Sequence, residues 1–227
     1  MLRSVLEYSF LSMYGIALIA SIYRYHKYFD TKLKYLPILF CYTLLNEILG
    51  YLTAHQPQFS FFSSDAFLYY NHIIYNVYNI IFYLYFFLIY RHYIKSNKIR
   101  ASISFAIVCF LLVSLINPFF QNFLLSSQTL TYVVGGIILI VCIGLYLREL
   151  FKNKRVNFFD SNVLVWISSG LLVFYIGYLP IKVSRYIHFI NQTTEAPNVR
   201  IVQYGLIILM YLLIITGFIK QKKRLYD

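Results

Sequence analysis

Apolar residues along this chain come in seven long runs separated by short polar segments. Most runs approach or reach the ~20 residues that a helix needs to cross a bilayer. The pattern therefore predicts an all-α fold, a single domain of seven transmembrane helices. The predicted spans cover about residues 5–23, 35–53, 67–90, 102–116, 130–146, 163–184 and 201–219.

The composition agrees with a membrane protein and excludes an ordinary soluble domain. Apolar residues make up 60% of the chain and charged residues only 12%, whereas about a quarter of the residues of a soluble domain are charged. The chain has 227 residues, so seven crossings leave no room for a separate soluble domain. We expect the lipid bilayer to be its main partner.

Basic residues alternate from one polar segment to the next. Sixteen of the twenty Lys and Arg residues lie in the first, third and fifth loops and the C-terminal tail, four in each; the other four are Arg3, Lys182, Arg185 and Arg200. By the positive-inside rule, the N-terminus lies outside and the C-terminus lies in the cytoplasm. The net charge of +12 thus reflects membrane orientation and does not indicate nucleic-acid binding.

Polar side chains inside the spans gather in the predicted outer half. His72, Asn76 and Asn79 are spaced four and three residues apart in the third span, so a helix places them on one face. Tyr178, Lys182 and Arg185 repeat this spacing near the outer end of the sixth span, together with Tyr175. Glu47 lies about two-thirds of the way along the outward-running second span, and Glu7 and Gln203 open the first and seventh on that side. The inner half carries little besides Ser, Thr and Tyr.

These positions predict a polar pocket open to the outside. A carboxylate in hydrocarbon costs at least ~2.5–3.5 kcal/mol, so Glu47 needs a partner or must be protonated. His72 with Lys182 or Arg185 could face it across the pocket. The candidate ligand-binding residues are Glu47, His72, Asn76, Asn79, Tyr178, Lys182 and Arg185. Two alternatives remain: the groups form a structural network of interhelical hydrogen bonds, or the two cations reach the lipid headgroups.

The chain lacks the motifs of several enzyme and cofactor classes. It has no H-E-x-x-H and no G-x-S-x-G motif, and we assign no catalytic residue, no metal site and no cofactor. Cys41, Cys109 and Cys142 each lie inside an apolar run, which argues against a disulfide framework.

Aromatic residues and glycines are expected to serve packing. The 24 Tyr and 21 Phe suit helix contacts and interfacial belts, and Trp166 occupies a belt position near the inner end of its span. Gly135, Gly136 and Gly144 in the fifth span are expected to allow close helix approach.

Three segments resemble a known family: LNEILGYL at 45–52, NHIIYNVYNIIFYLYFF at 71–87 and VLVWISSGLLVFYIGYL at 163–179. Together they cover roughly a fifth of the chain. They resemble a family of small seven-span bacterial membrane proteins of unknown function, sometimes encoded beside sensor kinases. The resemblance implies a seven-helix fold in a bacterial membrane.

The resemblance has matching and departing positions. Members of that family often have an acid in the second span, matched here by Glu47, and a W-x-x-x-G-x-x-x-Y-like sixth span, matched by Trp166, Gly170 and, one residue late, Tyr175. Many members also carry an acid in the third span, where this chain has apolar residues at 80–82. That departure argues against any role that needs a second carboxylate.

The function predicted from these features is that of a sensory or accessory protein, multi-pass in the inner (plasma) membrane. It would bind a small molecule or lipid from the outer side, and a cytoplasmic signalling protein would contact the basic loops. One alternative is an intramembrane enzyme that acts on a lipid. Another is a small-solute transporter, which would need polar groups in the inner half as well.

Overall fold

The computed structural model describes residues 2–55, 71–124, 126–152 and 162–221. These residues form seven long helices joined by short turns. The helices are α1 (Leu2–Tyr23), α2 (Leu36–His55), α3 (Asn71–Tyr93), α4 (Asn97–Ile116), α5 (Thr129–Lys152), α6 (Val163–Ile190) and α7 (Asn198–Lys220). The predicted all-α fold is confirmed.

The helices have the length and composition of membrane spans. Six of them are long and apolar enough to cross a bilayer, and α1 contributes a shorter apolar stretch, Ser9–Tyr23. Several helices extend beyond the apolar runs: α4 begins at Asn97 and includes Lys98 and Arg100, and α6 continues to Ile190. A helix satisfies its own backbone hydrogen bonds, so it can continue into the polar interface where the apolar run stops.

Six helices form a ring, and the seventh lies outside it. Each helix contacts the next in the order α1, α2, α3, α5, α6, α7 and back to α1, whereas α4 packs outside against α3 and α5. The outer position of α4 agrees with its surface: Phe105, Val108, Leu112 and Leu115 are spaced three, four and three residues apart and are 53–71% exposed. This apolar stripe suits contact with lipid.

One end of the bundle collects the basic segments, and we call it the basic end. Arg24 and Lys27, which follow α1, donate hydrogen bonds to the backbone oxygens of Ile219 and Gln221 at the end of α7. The Lys95 backbone N–H, in the turn before α4, donates to Glu149 near the end of α5 at 2.9 Å. The described segments that follow α1 and α3 therefore lie at the end of the bundle where α7 and α5 end.

A closely packed layer fills the ring next to the basic end. The layer includes Phe86 and Tyr90 of α3, Ile167 of α6 and Phe218 of α7, each no more than 1% exposed. Within the layer the Tyr90 hydroxyl is paired and lies 2.8 Å from Ser168 Oγ. Since packing of this kind leaves no room for solvent, the layer closes the ring on this side.

Two of the three glycines highlighted in α5 allow close helix contacts, and the third does not. A Cβ added to Gly135 would lie 2.6 Å from the Tyr83 ring, and one added to Gly136 would lie 2.7 Å from Leu179. Gly144 has nothing within 4 Å of the same position, so the expectation that it serves close packing is wrong. Gly144 lies on the exposed side of α5, which neighbouring helices leave uncovered.

Candidate functional site

The ring of helices encloses a cavity of about 380 Å³ on the side away from the basic end. Every helix of the ring contributes side chains to this central cavity, and the connection between α4 and α5 contributes Ser127. The lining residues are Tyr14, Thr43, Asn46, Glu47, His72, Tyr75, Tyr78, Asn79, Phe82, Ser127, Tyr132, Leu171, Phe174, Tyr175, Tyr178, Lys182, Gln203, Ile207, Met210 and Tyr211. The volume falls in the ~300–1,000 Å³ range that is typical of small-molecule sites.

The acidic side of the central cavity is formed by α1, α2 and α3. Glu47 Oε1 lies 3.5 Å from the Tyr14 hydroxyl, farther than in a strong O–H···O hydrogen bond. Beside it, Asn46 Nδ2 is buried and has no acceptor among the described residues. The Tyr75 hydroxyl donates to the Asn46 backbone oxygen at 2.8 Å. This side therefore presents a carboxylate and an amide N–H group that the described residues leave largely without partners.

The cationic side is formed by α5, α6 and the connection before α5. Lys182 Nζ donates a hydrogen bond to Ser127 Oγ at 2.6 Å and lies 5.3 Å from the centre of the Tyr132 ring. An ammonium group above an aromatic face is stabilised by the negative potential of the ring. These two contacts hold the Lys182 side chain at the wall of the cavity, and nothing within the described residues forms an ion pair with it.

Aromatic rings separate the two polar sides. Tyr14 of α1 contacts Tyr211 of α7, with ring centres 4.5 Å apart, and Tyr132 of α5 contacts Tyr178 of α6 at 5.7 Å. The Tyr78 hydroxyl lies 2.6 Å from Thr43 Oγ1, which links α3 to α2. The walls are thus largely apolar, with hydroxyl groups held in fixed positions.

Five of the seven predicted site residues line the central cavity: Glu47, His72, Asn79, Tyr178 and Lys182. Asn76 and Arg185 do not line it. The structure thus brings Glu47, His72 and Lys182 to one cavity, as the sequence pattern predicts, and of the two candidate cations Lys182 is the one in its lining.

Asn76 holds the connection between α4 and α5. It is 2% exposed, and its Nδ2 donates to the backbone oxygens of Phe123 and Ser126 at 2.8 and 2.9 Å. Its Oδ1 accepts from the Gln128 backbone N–H at 3.1 Å. All three bonds go to main-chain groups, so the described contacts of Asn76 hold this connection in place, and its predicted ligand-binding role stays a prediction.

Arg185 is engaged by the connection between α6 and α7. Its Nε donates to Glu195 Oε1 at 2.7 Å, and the two side chains are 27% and 20% exposed. Arg185 lines a second cavity of about 510 Å³, which we call the outer cavity. The central and outer cavities share His72, Ser127 and Lys182 in their linings, so they adjoin at these residues.

Sequence reasoning missed most of the aromatic lining and Ser127. The chain has 24 Tyr residues, and no local pattern separates Tyr14, Tyr75 and Tyr211 from those that face lipid. Ser127 lies in a loop, where only the fold reveals its contact with Lys182. Asn46 did have a signal, because it is an amide in an apolar run directly before Glu47.

Some predicted features lie outside the described residues. These are residues 56–70, which include the start of the predicted third span, and residues 153–161 and 222–227. The side chains of Arg3, Glu7 and Asn71 are also outside the description.

The described residues of the central cavity form neither a metal-ligand cluster nor a pair of carboxylates. Within the described residues, no three His, Cys, Asp or Glu side chains are placed to hold a metal ion. Glu47 is the one acid among the described residues that line the central cavity, so the pair of carboxylates used by many hydrolases is missing from them. An acceptor, a buried N–H donor and an ammonium group around an aromatic cavity can together hold a small polar molecule.

Comparisons with known proteins add no relative to this description. No protein-family model matches the chain, and neither a curated protein nor a solved structure matches it.

Proposed function

We propose that this protein is a membrane-embedded sensory or accessory protein that binds a small polar molecule in the central cavity. The observation that carries the proposal is the set of incompletely paired polar groups in an aromatic cavity. These groups are the Glu47 carboxylate, the buried Asn46 amide and the Lys182 ammonium. Buried polar groups are normally hydrogen-bonded, so a ligand that completes these bonds would be favoured.

The chemistry of the cavity indicates the class of ligand. A cationic or hydrogen-bond-donating group would meet Glu47, and an acceptor would meet Asn46 Nδ2. An anionic group would meet Lys182, while the tyrosine walls would contact the apolar part of the molecule. A small zwitterion with a short apolar body satisfies all of these groups together.

The packed layer suits a binding protein that opens to one side. Phe86, Tyr90, Ile167 and Phe218 close the ring between the central cavity and the basic end. The outer cavity adjoins the central cavity on the other side, at His72, Ser127 and Lys182. A ligand would thus reach the central cavity from the side of the outer cavity, which suits a protein that reports binding to a cytoplasmic partner at the basic end.

The proposal is tested by thermal unfolding of the purified full-length protein in detergent. Zwitterionic amino acids and betaines are compared with amines and carboxylates that carry only one charge. A ligand at one hundred times its dissociation constant stabilises the folded state by ~2.7 kcal/mol. We expect at least one zwitterion to raise the melting temperature of the wild type. The same compound should leave the melting temperature of Glu47→Gln unchanged.

Glu149→Gln is the matched control, since it makes the same chemical change at the basic end. We expect Glu149→Gln to keep the full ligand response, whatever its own melting temperature. If no compound stabilises the wild type and Glu47→Gln melts well below it, the polar groups only hold the helices together and the proposal is wrong.

A further inference from the structure

A third cavity of about 380 Å³ lies at the basic end, on the outer surface of α3. We call it the basic cavity. Three cations from three segments line it: Lys32 before α2, Arg91 in the last turn of α3 and Arg100 in α4. Its walls include Tyr35, Tyr85 and Leu88. None of these residues lines the central cavity.

The three cations have no acidic counterpart in this cavity. No Asp or Glu is among the described residues that line it. Asp30 and Glu149, two acids near this end in the described chain, lie outside the lining. Within the described part of the chain, the side chains of Lys32, Arg91 and Arg100 form no ion pair. Like charges gathered around a cavity repel one another, so an anion in the cavity would be attracted by all three.

Tyr85 supplies an independent sign of a missing acceptor. Its hydroxyl is buried and has no hydrogen-bond partner among the described residues. A buried hydroxyl that makes no hydrogen bond costs about 1–3 kcal/mol. Tyr85 lines the same cavity, so an anionic oxygen there would face the three cations and could accept a hydrogen bond from this hydroxyl.

The surface beside the cavity identifies the anion as part of an amphiphile. Val77, Ile81 and Leu88 lie along the exposed side of α3 and are 37%, 46% and 52% exposed. Leu88 also lines the basic cavity, so this apolar stripe begins at the cavity and runs along the helix away from the basic end. An acyl chain could lie along it while its headgroup occupies the cavity.

We propose that the basic cavity binds the phosphate group of an anionic phospholipid, with the acyl chains along the α3 stripe. Cationic pockets between membrane helices at the cytoplasmic side are suited to lipid phosphates, and the charge distribution predicts that the basic end is cytoplasmic. The site is separate from the central cavity, so it does not depend on the ligand proposed there.

The test compares two lipids with identical acyl chains, phosphatidylglycerol and phosphatidylcholine, added to the full-length protein in a neutral detergent. The readouts are the melting temperature and the number of lipids retained in native mass spectrometry. We expect phosphatidylglycerol to raise the melting temperature and to remain bound, whereas phosphatidylcholine does neither. Equal effects of the two lipids would overturn the proposal.

Substitutions of the cations that line the basic cavity test whether the lipid binds there. Each lost cation is expected to lower the affinity for phosphatidylglycerol about fivefold, so Arg91→Gln combined with Arg100→Gln should lower it roughly 25-fold. Lys98→Gln is the matched control, because Lys98 lies two residues from Arg100 on the same helix but outside the cavity. A double variant that binds as tightly as Lys98→Gln would contradict the assignment.

Two further measurements keep the test decisive if the double variant folds poorly. Tyr85→Phe removes only the unpaired hydroxyl and should weaken phosphatidylglycerol binding without lowering the stability of the lipid-free protein. Soluble glycerol phosphate provides the free-phosphate comparison. If it stabilises the protein as strongly as the lipid does at equal concentration, the site takes a free phosphate and the lipid assignment is wrong.

Discussion

Asn76 and Asn79 show how residues on one face of a helix can acquire different roles. Both follow His72 at helical spacing, yet Asn79 lines the central cavity while Asn76 bonds three main-chain groups of the α4–α5 connection. Helical spacing fixes the direction of a side chain only to within a broad sector. What occupies that sector depends on a connection some 50 residues further along the chain.

The hydrogen bonds of Asn76 lead to a prediction for the free energy of unfolding. Asn76→Ala removes three hydrogen bonds, and polar contacts within membrane proteins average ~0.6 kcal/mol each, so we expect a loss of about 2 kcal/mol. The measurement is equilibrium unfolding of the purified protein in detergent.

Asn79→Ala is the natural comparison, because the same change at the cavity wall breaks none of these bonds. It should alter stability by less than about 0.5 kcal/mol. A larger loss for Asn79→Ala than for Asn76→Ala would contradict the roles assigned here.

Among the elements, α5 shows how the same residue type serves two surroundings. Gly135 packs directly under Tyr83, a fully buried ring whose hydroxyl donates to the Tyr132 backbone oxygen at 2.9 Å. Gly144, nine positions later on the same helix, is exposed with nothing nearby. The sequence pattern alone does not separate the two glycines, because the difference lies in the neighbouring helices.

Gly135→Ala should therefore destabilise the bundle. The new methyl group would lie 2.6 Å from the Tyr83 ring and 2.9 Å from the Phe110 ring, and overpacking of this kind typically costs about 1–3 kcal/mol. Unfolding in detergent would show the loss directly.

Gly144→Ala has the same chemistry on the same helix and should be neutral within about 0.5 kcal/mol. If both variants lose stability equally, the loss comes from replacing a glycine in α5 and not from the contact of the new methyl group with Tyr83.

The whole molecule has a charge asymmetry that predicts its orientation. The described basic segments meet at one end through the contacts of Arg24, Lys27 and Lys95, and the central cavity lies towards the other. By the positive-inside rule we expect the basic end to face the cytoplasm. This orientation would expose the central cavity to the outer side and the basic cavity to the cytoplasmic leaflet.

Single cysteines can test the orientation in intact cells. Ala196 lies in the α6–α7 connection and Lys98 at the start of α4, and both are exposed. In a background without the three native cysteines, a membrane-impermeant maleimide should label Ala196→Cys at once. Lys98→Cys should react only after the membrane is permeabilised. The reverse order of labelling would overturn the orientation and the sidedness of both proposed sites.

At the scale of the whole molecule, most of the fold could be predicted from the sequence. Of the residues that line the central cavity, the charged and titratable ones could be predicted as well. Seven apolar runs required helices, because in a bilayer a helix satisfies its own backbone hydrogen bonds. Glu47, His72 and Lys182 were recognisable because charged and titratable groups are costly in hydrocarbon, and all three line one cavity. Lining tyrosines such as Tyr14, Tyr75 and Tyr211 were not recognisable, and neither was Ser127, because neither hydroxyl-bearing rings nor a loop serine violates the apolar pattern.

The sequence by itself thus determined the number of helices, their apolar surfaces, the clustering of positive charge and the chemical groups that must avoid lipid. These features depend on local composition and on the free energy of placing each group in a bilayer. Only the tertiary structure decided that α4 lies outside the ring, that Arg185 pairs with Glu195, and that Lys32, Arg91 and Arg100 share a cavity. Those outcomes depend on which helices become neighbours, and neighbours are selected by the packing of whole surfaces rather than by any single segment.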